Sequence, residues 1–121
     1  MEYKFRGFDA VGNKGWVYGD LVHNKKVTKT GLEDRVMVGG YEVVPESVGL
    51  FTGMQDCTGR DLYEGDICSI SCFGRLIYAK IVYIDFKAAF YFNDEGSTYP
   101  IDYASTIRKV GNIYENKELT T

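Results

Sequence analysis

Glycine turns divide this chain into short stretches rich in aromatic and β-branched residues, and this pattern most constrains the fold. The 121 residues include 14 Gly but only 2 Pro, together with 10 Tyr and 7 Phe. Glycine suits tight turns, whereas aromatic and β-branched side chains fit the surface of a strand. We therefore predict a mainly β protein made of small, barrel-like antiparallel sheets, with at most short helical turns.

The chain length fits one domain spanning residues 1–121, since domains cluster near about 100–150 residues. A weak internal repeat aligns residues 12–21 with 58–67, and both segments end in Gly-Asp followed by an aliphatic residue. Glycine allows positive φ where a strand bends, and Asp can accept bonds from nearby amides. Gly19, Asp20, Gly65 and Asp66 are therefore predicted turn residues. The repeat favours two SH3-like β-units, with subdomains 1–47 and 48–121, although chance recurrence of turn residues would also explain it.

The longest predicted strand covers residues 76–84. Ile77, Ala79, Ile81 and Tyr83 fall on one side of it, and the other side is also apolar except at Lys80. Apolar residues on both faces indicate a strand that is central in its sheet or lies at an oligomer contact. This region holds more apolar surface than one small barrel needs, so we expect a homo-oligomer. The predicted interface consists of Leu76, Tyr78, Val82, Ile84, Phe86, Phe90 and Phe92.

Other local signals complete the predicted β pattern. Gly39-Gly40 favours a hairpin between strands at residues 35–38 and 41–44. A proline at position 45 and a glycine at 49 predict a single helical turn between them. The polar residues 23–26 are expected to form a loop, and residues 110–114 a last strand.

Cysteine usage and hydropathy predict a cytoplasmic protein. On a strand, Cys68 and Cys72 would have Cα atoms about 13 Å apart. That is too far for a disulfide, which needs less than about 7 Å. We therefore expect buried, reduced thiols there, and Cys57 in a turn. The absence of an apolar run of 18 residues argues against a membrane span, and no apolar signal-peptide core follows Met1.

The negative net charge makes nucleic-acid binding a less favoured function than protein interaction. The net charge is −3, and phosphate neutralisation dominates affinity for nucleic acids. Lys25, Lys26, Lys29 and Arg35 nevertheless form a candidate basic patch. Aromatic side chains on the strands could stack bases, although no basic residues lie among them in the sequence. The more economical reading of these aromatic residues is a hydrophobic core.

Catalytic motifs are missing from the sequence. There is one histidine, no Gly-x-Ser-x-Gly elbow and no phosphate-binding glycine loop. Asp20 and Asp66 could in principle act as an acid–base pair or hold a metal, but turn chemistry explains both. We expect no enzyme activity, no cofactor and no metal site.

A family resemblance covers nearly the whole chain. The segments VPESVGLFTGMQD (44–56) and GRDLYEGDI (59–67) resemble the central signature of the YopX family. KFRG (4–7), WVYGDL (16–21) and GNIYEN (111–116) match in the same order, so the resemblance spans roughly residues 3–119. Leu50 stands where a polar residue is common, and Lys117 where proline is common.

The YopX family comprises small proteins of bacterial phages, prophages and mobile elements. The resemblance implies a β-rich, small-barrel fold that can self-associate, and it supplies no catalytic residue. We therefore expect a cytoplasmic, non-enzymatic module for protein interaction or self-assembly, with an unknown protein partner. A nucleic-acid-binding small β-barrel is the alternative, and an enzyme using Asp20 and Asp66 is the least favoured reading.

Overall fold

Strands make up most of the computed structural model, which describes residues 4–72, 74–101 and 106–116. The mainly β prediction is confirmed. The chain divides into two units, Met1–Phe51 (unit 1) and Thr52–Thr121 (unit 2), and the predicted boundary after residue 47 lies slightly before this division. Tyr3 and Lys117, which belong to the predicted resemblance, lie outside the described residues.

Unit 1 contains two small antiparallel sheets. Its strands are β1 (Phe5–Phe8), β2 (Trp16–Gly19), β3 (Leu21–Thr28), β4 (Gly31–Val38), β5 (Tyr41–Val43) and the start of β6 (Gly49–Gln55). β1 pairs with both β2 and β6, and β3, β4 and β5 form a meander in which β4 is central. The predicted helical turn is present as a 3₁₀ turn at Pro45–Ser47.

The core of unit 1 is built from residues that alternate along these strands. Val17, Val38 and Val43 are buried, and Phe5 and Leu21 are among the residues packed against them. Two independent constraints, the backbone conformation and the space available, require glycine at position 19. Its φ is +146°, and a Cβ added there would lie 2.8 Å from the Cα of Gly39, so any other residue would strain the backbone and clash.

Unit 2 contains one five-stranded antiparallel sheet. The strands of unit 2, of which all but the first belong to this sheet, are β7 (Asp61–Tyr63), β8 (Asp66–Cys72), β9 (Arg75–Ile84), β10 (Ala89–Asp94), β11 (Ser97–Pro100) and β12 (Thr106–Asn112). The order is β11-β10-β9-β8-β12, so β9 is central in its sheet, which is one of the two alternatives that its apolar sides left open. β7 is outside this sheet and neighbours β6.

One side of this sheet carries the core of unit 2. The buried cluster comprises Leu62, Cys68, Ile70, Ala79, Ile81, Phe92 and Ile107. Of the four residues predicted to share one side of β9, Ala79 and Ile81 are buried in this cluster, Ile77 packs against it, and Tyr83 is 38% exposed. Cys68 and Ile70 share this side, as alternation along β8 predicts.

Three expectations about the fold are corrected by the structure. Within the described residues none of the sheets closes into a barrel. The predicted loop at residues 23–26 is part of β3, because every residue of β3 pairs with β4 and polar side chains are tolerated on a solvated hairpin. The predicted last strand at 110–114 is shifted to β12, which ends at Asn112. There the Asn112 side chain accepts a hydrogen bond from the N–H of Glu115 (2.8 Å) and closes a turn.

Candidate binding surfaces

One surface of unit 1 is formed by alternate residues of the β3–β4 hairpin, and we name it the hairpin face. Residues directly opposite in an antiparallel pair point to the same side, and successive residues point to opposite sides. The register therefore places four cross-strand pairs on this side. Leu21 with Val38 belongs to the core of unit 1, and the hairpin face consists of the other three, which are His23 with Val36, Lys25 with Asp34, and Val27 with Leu32.

The far end of the hairpin face is apolar and open to solvent. The exposed fraction is 84% for Val27 and 66% for Leu32. Since these two side chains are cross-strand neighbours, they form one apolar patch rather than two separate contacts with water. An exposed apolar patch is a candidate contact surface.

An ion pair and a groove continue the hairpin face towards the core of unit 1. Lys25 Nζ lies 3.0 Å from Asp34 Oδ1, and both side chains are mostly exposed. A groove of about 480 Å³ has His23, Val36 and Pro45 in its lining, together with the ion pair. The hairpin face therefore offers apolar surface and one charge of each sign.

The four residues of the predicted basic patch are not on one surface. Lys25 is on the hairpin face, whereas Lys26 and Arg35 are on the opposite side of the hairpin and Lys29 is in the exposed turn beyond β3. Lys26 Nζ is 3.0 Å from both carboxylate oxygens of Glu42. Arg35 Nε donates to Asn24 Oδ1 at 2.6 Å. The cations are therefore divided between two sides, and two of them are paired with acids.

A second surface is the side of the five-stranded sheet opposite the core of unit 2, which we name the outer face. The cross-strand register assigns fifteen strand residues with side chains to it, in addition to Gly111. They are Ile67, Ser69, Ser71, Leu76, Tyr78, Lys80, Val82, Ile84, Ala89, Tyr91, Asn93, Thr98, Pro100, Thr106 and Arg108. Apart from the buried Ile67, the described side chains on this side are partly or fully exposed.

The charged strand residues of the outer face have one sign, and the adjoining turn Asp85–Lys87 contributes one charge of each sign. Lys80 and Arg108 are the two charged strand residues, and none of the fifteen residues is a carboxylic acid. Lys87, in the 3₁₀ turn Asp85–Lys87, adds a cation whose Nζ lies 4.8 Å from the centre of the Tyr91 ring. The grouping of Lys80, Lys87 and Arg108 is not evident from the sequence because each comes from a different structural element.

The predicted interface on and near β9 is distributed over different environments. Leu76, Tyr78 and Phe86 are exposed, at 69%, 54% and 87%. Val82 and Ile84 are half-buried on the outer face. In contrast, Phe92 is fully buried in the core and Phe90 packs against that core, so these two residues do not contribute to an exposed contact surface.

The Gly-Asp turn at Gly65 and Asp66 has the geometry expected from the sequence. The φ of Gly65 is +93°. Asp66 is fully buried, accepts a hydrogen bond from the N–H of Tyr63 at 2.8 Å and lies 3.2 Å from Lys109 Nζ. Asp20, its counterpart in the repeat, is exposed. The two aspartates therefore differ in environment even though the glycines before them both have positive φ.

Asp56 is a structural carboxylate that the sequence reading overlooked. Its Oδ1 accepts bonds from the backbone N–H groups of Thr58 (2.9 Å) and Arg60 (3.0 Å) and from the Thr58 hydroxyl (2.7 Å). Its Oδ2 accepts from the N–H of Lys109 at 3.0 Å. Burial alone would raise the pKa of Asp56, but the bonds from Lys109, Thr58 and Arg60 outweigh it and hold the pKa well below its usual value. The signal in the sequence is Asp-x-Thr-Gly, in which Asp can bond amides two and four residues ahead.

The two described cysteine side chains differ in their exposure. Cys57 is exposed and lies in a turn, and Cys68 is buried, so the turn and the buried thiol are as predicted, while the side chain of Cys72 lies outside the described part of the structure. Burial, followed by the nearby Asp66 carboxylate, raises the pKa of the Cys68 thiol to about 12. In the part of the chain that the structure describes, no group of three or more His, Cys, Asp or Glu is placed to hold a metal ion. Nor does any helix among the described residues have the length and apolar character to cross a membrane.

Fold and surfaces together define an all-β protein whose distinguishing features are two solvent-facing sheet surfaces. The chain belongs to the YopX protein family, which matches residues 4–120. The resemblance identified in the sequence is thereby confirmed over nearly the whole chain.

A solved structure shares the fold. The crystal structure of protein EF1440 from Enterococcus faecalis has a TM-score of 0.60 and 21% sequence identity, with 100% of this chain and 99% of that chain covered. Identity at this level shows a common fold. No curated protein matches the sequence.

Proposed function

We propose that this protein is a non-enzymatic interaction module that assembles with a second copy of itself through the hairpin face. One observation carries the proposal. The exposed apolar pair Val27 and Leu32 lies beside one positive and one negative charge, Lys25 and Asp34, on the same side of the same hairpin.

This arrangement is self-complementary. In a two-fold interface the same patch of both copies meets, so that each contact occurs twice. Lys25 of one copy can then meet Asp34 of the other, and the apolar ends can cover each other. A surface with charges of a single sign lacks this property because like charges would face one another.

The expected affinity follows from the exposed apolar residues. Burying a valine or leucine side chain contributes about 1.5–3 kcal/mol, and two copies supply four such side chains. Association costs about 4–15 kcal/mol in lost translational and rotational freedom. We therefore expect a weak dimer, with a dissociation constant of about 1 μM or higher.

The environment of Asp66 argues against its use as a general acid or base. A general acid or base has to contact the proton that it transfers. Asp66 is fully buried, and its carboxylate is within bonding distance of the Tyr63 N–H and the Lys109 ammonium. These contacts fix a turn, which is the role that the Gly-Asp sequence predicts.

Sedimentation velocity at increasing protein concentration tests the self-assembly proposal. The wild type should shift from monomer to dimer, and Leu32→Asp should remain monomeric because it places a charge in the apolar patch. The matched control is Leu76→Asp, since Leu76 has nearly the same exposure, 69% against 66%, but lies on β9. This control should dimerise like the wild type.

The same experiment separates the two possible interfaces. If Leu76→Asp prevents dimerisation and Leu32→Asp does not, the interface on β9 predicted from the sequence replaces the hairpin face. A wild type that remains monomeric at every concentration would refute self-assembly itself.

The biological setting is part of the proposal. We infer a phage, prophage or mobile-element origin and action in the cytoplasm of a bacterial or phage-infected cell. The support is the YopX family membership together with the reduced-cysteine pattern. Sequencing the genes on either side tests the origin, because integrase or virion genes are expected there, and cell fractionation tests the compartment.

A further inference from the structure

We propose that the outer face of the five-stranded sheet binds a single-stranded nucleic acid. The outer face belongs to unit 2, whereas the hairpin face belongs to unit 1. The proposal is therefore independent of self-assembly and can fail or succeed separately.

The cations of the outer face suit a polyanion. Arg108 on β12 and Lys80 on β9 are on the same side of the sheet, and Lys87 is above Tyr91 at one end of it. None of the fifteen strand residues on this side is acidic. Within the described residues, neither Lys80 nor Arg108 forms a salt bridge, so both charges are available to phosphate groups. Phosphate contacts of this kind supply most non-specific affinity for nucleic acids.

Aromatic rings lie among these cations on the outer face. Tyr78 and Lys80 alternate on β9, and Tyr78 is 54% exposed. Tyr91 pairs with Val82 on the neighbouring strand and has Lys87 against its ring. Exposed aromatic rings stack on bases irrespective of sequence. The sheet register therefore brings together the two components of a single-strand platform that appear separate in the sequence.

Hydrogen-bonding side chains occupy much of the remaining surface. Ser69, Ser71, Asn93, Thr98 and Thr106 all fall on the outer face. Hydroxyl and amide groups bind phosphate and sugar oxygens without reading the sequence. From Leu76 to Ile84 the outer row of β9 extends about 26 Å, at about 3.3 Å per residue. This is long enough for several nucleotides.

The single sign of the charged strand residues favours a polyanion over a second copy of the chain. A two-fold contact through the outer face would place Lys80 and Arg108 against the same residues of the partner, and this repulsion is unfavourable. Unpaired bases are needed for stacking, so a single strand is favoured over a duplex. A negatively charged chain with accessible rings fits both features.

The charge of the whole chain limits the affinity. The net charge is −3, so binding is expected mainly at low salt. Neutralisation of three phosphates gives a slope of about −2 for the logarithm of affinity against the logarithm of salt concentration. Affinity should therefore fall by about 20-fold when salt increases fourfold.

Fluorescence anisotropy with a fluorescein-labelled thymidine oligonucleotide of about 12 residues tests the proposal. Lys80→Gln or Arg108→Gln should each weaken binding and reduce the magnitude of the salt slope by about 0.7. Tyr78→Ser should weaken binding at least about fivefold, while Tyr78→Phe should retain it because the ring remains. The labelled duplex should bind more weakly than the single strand.

Matched controls are available in unit 1. Lys25→Gln removes the same charge from the hairpin face, and Tyr18→Ser removes a tyrosine that is also 54% exposed. Both should bind the oligonucleotide like the wild type. Circular dichroism of each variant separates loss of binding from loss of the fold.

Three results would overturn the proposal. The first is that the wild type does not bind the oligonucleotide at low salt. The second is that the unit 1 controls lose as much oligonucleotide affinity as the outer-face variants. The third is that Tyr78→Ser and Arg108→Gln fold and still bind like the wild type. If Arg108→Gln instead changes the sedimentation behaviour and leaves oligonucleotide binding intact, the outer face contacts protein. None of these results bears on Leu32→Asp, so self-assembly is judged by its own experiment.

Discussion

Replacing Asp56 by asparagine should destabilise the protein, by an amount that depends on pH. The Asp56 carboxylate accepts three hydrogen bonds from within the turn at residues 56–60 and a fourth from the N–H of Lys109, which joins this turn to β12. In Asp56→Asn the amide oxygen can replace Oδ1, but the amide nitrogen faces the N–H of Lys109 and cannot accept from it. The variant loses a bond to a charged group and leaves a buried donor unsatisfied.

The magnitude follows from these two losses. A hydrogen bond to a charged group contributes about 1.5–3 kcal/mol, and an unsatisfied buried donor costs about 1–3 kcal/mol. These figures overlap, since both describe the Lys109 N–H, so the free energy of unfolding should fall by about 2–4 kcal/mol at pH 7. The matched control is Asp85→Asn, which removes an exposed carboxylate from unit 2 and should change stability by less than about 0.5 kcal/mol.

The stability difference between the wild type and Asp56→Asn should depend on pH, whereas a purely steric effect of the substitution would not. The folded pKa of Asp56 lies below the ordinary value of 3.8. Its stabilising contribution is therefore fully present above pH 3.8 and is lost as pH falls through the folded pKa. The wild type loses about 1.4 kcal/mol per pH unit in this window from Asp56, whereas Asp56→Asn has no carboxylate to titrate. The difference between the two proteins should therefore shrink below pH 3.8.

Urea unfolding followed by circular dichroism at several pH values measures this difference. Tryptophan fluorescence is a poorer probe because the one tryptophan, Trp16, belongs to unit 1. A stability difference that stays constant from pH 7 to pH 3 would refute the ionic origin of the effect. An unchanged free energy of unfolding at pH 7 would refute the hydrogen-bond assignment.

Two further predictions concern backbone conformation and thiol reactivity. Gly65→Val should lower the free energy of unfolding by at least about 1–3 kcal/mol, because a β-branched residue is strained at φ +93°. Gly65→Asn should lose less, since asparagine tolerates positive φ better, and equal losses measured by urea unfolding would contradict a backbone cause. In the native protein Cys57 should react with a thiol reagent at pH 8 while Cys68 reacts only after unfolding, because Cys68 is buried and its pKa is raised to about 12. Peptide mass mapping would detect native modification of Cys68, which would contradict its assignment to the core.

Much of the local structure could be predicted because it depends on interactions close in sequence. The positive φ of Gly65, the turn at Pro45–Ser47 and the shared side of Cys68 and Ile70 each follow from a few neighbouring residues. Alternation along β9 also placed Ala79 and Ile81 on one side of the strand, as the structure has them. The same reasoning wrongly predicted a loop at residues 23–26. Their polar composition does not show that β4 lies beside them and completes their backbone hydrogen bonds.

The candidate surfaces were less accessible to sequence reasoning. The basic run at residues 25–35 predicted one patch, but strand alternation and the register with β4 divide its cations between two sides of the hairpin. Phe92 belonged to the predicted interface and is instead buried, because its pairing with Ile81 turns it towards the core. A strand pattern shows which residues share a side of one strand. Which side of the sheet is covered depends on distant segments.

The sequence alone determined the family, the all-β character and the positions of the main turns, because glycine conformation, strand alternation and a long motif are all encoded locally. Tertiary structure decided how charges and rings are grouped. Lys80, Lys87 and Arg108 are up to 28 residues apart, and they share the outer face only through antiparallel pairing and the turn after β9. Asp56 and Lys109 are 53 residues apart and meet in one hydrogen bond. Such contacts depend on how strands pair across the sheet, which composition and periodicity do not specify.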